Sequence, residues 1–231
     1  MERSNTYIIV YSVVMVVFVA AVLSIASFSL QDKQQENVEI EKIQDMLMSI
    51  NVIATTGDAK ILFEKYIKQQ LVINTKGEIV EGKKPFALDL KKEYAEKPDN
   101  RNLPLYIAQK NDSIFYIIPL RGKGLWGPIW GYVSLLSDKS TVYGATFDHK
   151  SETPGLGAEI NKPFFEKQFI GKMIYDSEKK FKSVNVIKGG APQGDVHGVD
   201  AISGGTITSV GVDAMIDTCI IGYDNYLKQQ N

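Results

Sequence analysis

The sequence predicts an α+β protein in which an N-terminal transmembrane helix is followed by a mixed or antiparallel sheet with packed helices. Three observations carry that expectation. Residues 7–30 form a run of 24 residues without a charge. Between 103 and 148, apolar and aromatic-rich runs recur with turn formers between them. From 206 to 229, apolar residues return at helical spacing.

The uncharged run is long enough, at about 1.5 Å rise per residue, to cross a hydrocarbon core of about 30 Å. It is also longer than the apolar core of a signal peptide, and Arg3 before it is balanced by Glu2. An uncleaved anchor is therefore favoured over a cleaved leader, although Ser24-Ile25-Ala26 offers small residues to a peptidase. Lys33 and Lys42 follow the run, so flanking charge does not place the large domain on either side of the bilayer. The expected organisation is a tail at 1–6, the anchor at 7–30, a membrane-proximal helical segment at 31–70 and an α+β domain at 71–231.

Within 33–53, Ile40, Ile43, Met46, Leu47 and Ile50 describe an amphipathic helix. A second helix is expected from Asp58 as N-cap to Tyr66, burying Ile61, Leu62, Phe63 and Ile67. Residues 74–102, with two lysine pairs and two prolines, read as a solvated excursion. LPLYIAQ and SIFYIIPL flank Lys110-Asn111-Asp112 and predict an antiparallel hairpin, and two further strands follow it with Gly131 and Gly144 inside them. The continuous apolar run 114–120 implies a strand covered on both faces. A helix is expected at 161–170 with Pro163 in its first turn, a short strand at 184–187, and a last helix over 206–229.

Composition narrows the function. A net charge of −1 leaves no basic excess for nucleic acid. One cysteine, Cys219, excludes an intrachain disulfide, and with only His149 and His197 beside it the ligands for a closed Cys/His zinc shell are lacking. The histidines are expected at the surface and Cys219 in the core.

Three glycine-bearing stretches lie at element boundaries: GKGLWGPIWG (122–131), SETPGLG (151–157) and DAISGGT (200–206). Each reads as a turn, or as part of a pocket where a ligand meets backbone. In the third, Ser203, Gly204, Gly205 and Thr206 stand at the start of the last helix, whose first amides lack partners and attract an anion such as phosphate. Hydroxyls of Ser203, Thr206 and Thr208 would add donors; equally, Ser203 or Thr206 would simply cap the helix. The stretch has neither the lysine of a Walker loop nor the GxGxxG of a dinucleotide fold.

DAISGGT resembles the flavinylation motif of FMN-binding domains: an Asp, two residues, Ser or Thr, Gly, a small residue and the modified Thr. With SETPGLG, GLWGPIWGYV, the single anchor and the length, the whole chain resembles the C subunits of bacterial Na+-translocating NADH:quinone reductases. That resemblance implies covalent FMN, joined through its phosphate to Thr206, on a domain facing the periplasm from the inner membrane. It implies attachment by a separate flavin transferase that needs Asp200 and the Thr206 hydroxyl, and electron relay from NADH towards quinone among other membrane subunits, with no complete activity alone. Thr153 and Leu156 would lie over the flavin, with Gly155 and Gly157 keeping the backbone close. Glu152 would accept a ribityl hydroxyl, or only solvate its loop; Leu125 and Trp126 would pack on the ring, or Trp126 would be core. Gly205 departs from the residue usual in that family, which is alanine. Two other readings stand beside this one: the G subunit of the Rnf-type ferredoxin:NAD+ reductase, and an anchored extracytoplasmic sensor module that catalyses nothing.

Overall fold

The computed structural model describes residues 4–229. Residues 1–3, including Arg3 and half of the expected tail, and 230–231 lie outside the described residues. The chain divides into two units, 1–42 and 43–231.

The first unit holds most of helix α1 (Asn5–Ser49), which is the one helix among the described residues long and apolar enough to cross a membrane. Its residues 7–30 are exposed throughout, the large apolar side chains from Met15 at 45% to Phe28 at 76%, so the unit does not cover its own apolar surface. The amphipathic helix expected at 33–53 is the continuation of this same helix. Its end is set by Asn51, which takes a left-handed φ of 54°. Lys110 Nζ donates to the carbonyls of Ile50 (3.1 Å) and Asn51 (2.9 Å).

In the second unit, α2 (Ala59–Tyr66) leads directly into β1 (Ile67–Asn74). Asp58 stands at the α2 N-cap position but its carboxylate turns backward, accepting from the Thr55 amide (2.6 Å) and hydroxyl (2.8 Å). Of the side chains expected to be buried by α2, Phe63 and Ile67 are; Leu62 is half-buried and Ile61 is 68% exposed. The excursion at 74–102 carries structure of its own, with α3 (Leu90–Ala95) capped by the Asp89 carboxylate on the Lys91 amide at 2.9 Å.

β1 is followed by β2 (Asn102–Lys110), β3 (Ser113–Lys123), β4 (Pro128–Leu135) and β5 (Val142–His149). These five form an antiparallel meander in sequence order. The β2–β3 hairpin turns on Asn111 and Asp112, with φ of 49° and 61°, a pair of left-handed residues that Asn and Asp tolerate best. Phe115 to Leu120 are all buried, as a strand covered on both faces requires. One face meets residues 43–50, where Ile43, Met46, Leu47 and Ile50 are buried and Thr146 Oγ1 donates to the Asp45 carbonyl at 3.1 Å. Gly144 makes that contact possible, since a Cβ there would strike the Ser49 carbonyl.

The other face meets α5 (Thr206–Ile220), which packs over β3 through Val212, Met215, Ile216, Cys219 and Ile220. Before it come α4 (Pro163–Glu166) and a parallel pair, β6 (Asn185–Ile187) with β7 (Gly198–Asp200). Asp213 of α5 holds that pair by accepting the Val186 amide at 2.6 Å. The helix expected at 161–170 is shorter, one α turn between two 3-10 turns, because Phe165 and Phe169 must both reach Phe147, with centroids 5.8 and 5.0 Å away. The last helix is likewise broken after Ile220: a 3-10 turn at Ile221–Tyr223 precedes α6 (Asp224–Leu227). There Tyr223, fully buried, donates to the Pro104 carbonyl at 2.8 Å. Cys219 is buried in the core as expected, whereas both histidines are half-buried and hydrogen-bonded.

Candidate functional site

The sheet register brings two of the glycine stretches together. Ile129, just after the β3–β4 turn, pairs with His149 at the end of β5, so residues 124–127 stand beside residues 150–157. The third stretch joins them because α5 begins over the same end of β3: a Cβ on Gly211 would meet the Lys123 carbonyl.

Glu152 ties the three. Its carboxylate accepts the Trp126 amide at 2.8 Å and the Thr208 hydroxyl at 2.5 Å, and its own amide donates to His149 Nδ1 at 3.3 Å. The residue is only 5% exposed. Burial acts to raise its pKa, but the Thr208 hydroxyl and the amides of Trp126, Gly127 and Leu125 outweigh it and hold the carboxyl below its ordinary range. Two glycines make room for it: a Cβ on Gly124 would lie 2.6 Å from Glu152 Oε1, and one on Gly157 2.5 Å from Oε2.

This arrangement corrects two expectations, those for Thr208 and Glu152, and places two further residues, Gly155 and Asp200. Thr208 is 1% exposed and spends its hydroxyl inward, so it is not an outward donor. Both oxygens of Glu152 are engaged with the protein rather than presented to a ribityl hydroxyl. Gly157 accommodates the carboxylate, whereas Gly155, at φ 76°, faces open space and serves its turn. Asp200, at the end of β7, uses its carboxylate on the Ala191 amide at 2.7 Å.

What remains outward is compact in chemistry. Ser203 and Gly204 are exposed and Thr206 is half-buried. Leu125, Trp126 and Leu156 are 45%, 67% and 43% exposed, so Trp126 is not a core residue; Thr153 is exposed with them. Gly205 is the N-cap of α5 and no side chain caps the helix, which sets aside Ser203 and Thr206 as caps. The first-turn amides of α5 are thus left without a side-chain cap, which together with the helix dipole makes an environment that favours an anion. Gly204, at φ 76°, and Gly205 bring this turn onto the second loop: Cβ atoms there would lie 2.7 Å from Leu156 Cδ2 and 2.9 Å from the Leu156 carbonyl oxygen. Beneath the turn, Ser209 Oγ accepts the Ile202 amide at 3.0 Å. Nothing in the sequence marked Ser209, Gly211 or the bond to His149, and only its place in the first glycine stretch hinted at the role of Gly124.

Hydroxyls and free amides at a helix start, flanked by exposed apolar and aromatic side chains, suit a ligand that is phosphate at one end and a planar ring at the other. The family described as FMN-binding domain matches residues 124–221, from the first glycine loop to just past the end of α5. The C subunit of the Na+-translocating NADH-quinone reductase from Vibrio anguillarum is 34% identical over 215 residues, covering 85% of this chain and 82% of that protein. Its counterpart from Vibrio vulnificus (strain CMCP6) is 34% identical over 213 residues, covering 85% and 83%. Among solved structures, the C subunit from Parabacteroides distasonis superposes with a TM-score of 0.80 at 44% identity, covering 87% of this chain and 98% of that one. NqrC from Shewanella oneidensis gives 0.69 at 26% identity, covering 84% and 98%. This chain belongs to the family of C subunits of Na+-translocating NADH-quinone reductases.

Proposed function

We propose that this chain is an electron-relay subunit of a Na+-translocating NADH:quinone reductase and that it carries FMN as a phosphoester on Thr206 Oγ1. The observation that carries the reading is the convergence of the three glycine stretches on an uncapped helix start that begins with that threonine. The flavin supplies one- and two-electron redox chemistry when bound. The chain's own residues do the holding. Amides of the first turn of α5 and the hydroxyl of Ser203 receive the phosphate; Thr153, Leu156, Leu125 and Trp126 bound the space for the ring and keep water from it.

The remaining parts follow from the same reading. Residues 7–30 of α1 anchor the chain in the lipid bilayer of the bacterial inner membrane, the domain stands on the periplasmic side, and the other membrane subunits of the complex deliver and remove electrons. A flavin transferase recognises the 200–206 stretch, where Asp200 keeps Gly190 and Ala191 folded against it.

The test is Thr206→Ala in full-length protein produced together with the transferase. Wild type should show a fluorescent band after denaturing electrophoresis and an intact mass raised by one flavin mononucleotide less the water lost in forming the ester. The variant should show neither. Its stability should change by less than about 0.5 kcal/mol, because Thr206 caps nothing. A fluorescent band retained in the variant refutes the attachment site.

A further inference from the structure

Glu152 is buried, ionised and without a cation among the groups that hold it so. Its partners are neutral: one amide, one hydroxyl and the surrounding dipoles of residues 125–127. A carboxylate only accepts hydrogen bonds, so each of these contacts fixes a donor on a different segment. Trp126 belongs to the β3–β4 turn, Thr208 to the first turn of α5, and Glu152 itself to the loop after β5. The segments so joined are the ones on which Trp126, Leu156 and Thr206 stand. Gly124 and Gly157 leave the space that the carboxylate fills, which marks the contact as built into the fold.

We infer that Glu152 is a positioning residue: its buried carboxylate locks the three loops into one constellation, and its charge lowers the reduction potential of the group that accepts electrons there. This rests on the flavin reading above. The electrostatic part follows from sign alone, since adding an electron beside a fixed, weakly screened negative charge is disfavoured. The positioning part follows from topology, since Glu152 is hydrogen-bonded to both the β3–β4 turn and the start of α5 from a third segment.

Two substitutions separate the parts. Glu152→Gln keeps the shape and an acceptor for the Trp126 amide while removing the charge; Glu152→Ala removes both. Full-length chains made with the transferase are compared by flavin content and by potentiometric titration of the bound flavin. The Glu152→Gln chain should load flavin and titrate at a more positive midpoint potential than wild type. An unchanged or more negative midpoint, or failure of the folded variant to load, overturns the electrostatic role. Amide exchange is measured separately in the Thr206→Ala background, which needs no flavin. There the Trp126 amide should exchange at least about tenfold faster in Glu152→Ala, as expected for loss of a bond to a charged acceptor. Unchanged exchange overturns the positioning role. Should Glu152→Ala not fold, the same exchange is read in Glu152→Gln, where the Trp126 amide should stay protected and protection of the Ser209 amide, which bonds the Gly205 carbonyl at 2.9 Å, should fall; unchanged protection at Ser209 overturns the clamp. If wild type carries no flavin, the flavin reading fails while the exchange data still decide the clamp.

Discussion

Gly205→Ala restores the residue common in the family that this chain resembles, yet the geometry says it will harm this protein. An ideal Cβ at residue 205 would lie 2.9 Å from the Leu156 carbonyl oxygen and 3.0 Å from both Leu156 C and Ile202 Cγ2. Ordinary contact begins near 3.4 Å, so the 153–157 loop must retreat from the helix start by several tenths of an ångström. Overpacking of this kind costs about 1–3 kcal/mol. The φ of residue 205 is −103°, which alanine accepts, so the substitution also gains about 0.4–1 kcal/mol by restricting the unfolded chain. The net is a destabilisation of about 0–2.6 kcal/mol, centred a little above 1 kcal/mol, or a fall of up to about 10 °C in Tm for a unit of this size. Thermal unfolding followed by circular dichroism measures the cost, and in-gel flavin fluorescence reports whether the displaced Leu156 impairs loading. A variant that melts above wild type and loads fully would show that the Leu156 carbonyl is not the wall described.

Thr208→Val deletes the hydroxyl that Glu152 accepts at 2.5 Å within a site only 1% exposed, and should cost about 1.5–3 kcal/mol in urea unfolding; a loss below about 0.5 kcal/mol, the level of an ordinary surface change, would show the bond to be unimportant. Glu166 behaves in the opposite sense to Glu152, because burial, opposed by the Phe147 amide and assisted by the charge of Asp148, raises its carboxyl above the ordinary 4.5. The fold therefore prefers it protonated, and its contribution to stability declines as pH rises from 4.5 through the raised value. Glu166→Gln, which still offers an oxygen to the Phe147 amide, should gain on wild type over that interval; parallel stability curves from about pH 4 to 8 would refute the assignment.

Much of the sheet was legible because its signals are local. Lys110-Asn111-Asp112 names a hairpin through residues that tolerate positive φ, and the uninterrupted run to Leu120 announces a strand with two covered faces. Gly131 was readable as a bulge or a close approach, and a Cβ there would strike the Thr146 carbonyl. The broken helices were not legible. α5 stops where Gly222 meets Leu103, 2.7 Å from where its Cβ would be, a contact between segments far apart in the chain that no periodicity can encode. The site divides in the same way. Thr206, Ser203 and the glycines were visible in DAISGGT, but the inward turn of Thr208 and Glu152 depends on three segments meeting, so Thr208 was read as a donor to a ligand and Glu152 as facing a ligand or solvent.

A polar residue next to a ligand-facing glycine has two possible duties, and spacing does not distinguish them. Here one set of residues, Glu152, Thr208 and Ser209, is buried and satisfied within the protein, while another, Ser203, Thr206, Leu125, Trp126 and Leu156, is exposed or half-exposed and leaves α5 uncapped. The first set costs little conformational freedom on ligand binding, because its order is already fixed by folding. The second set can therefore remain solvent-facing without the loops drifting apart. A helix start that kept its own side-chain cap would be more stable alone, but its amides would no longer be free for phosphate. The glycine at 205 thus serves two ends at once, admitting the Leu156 carbonyl on one side and leaving the first-turn amides without a side-chain cap on the other.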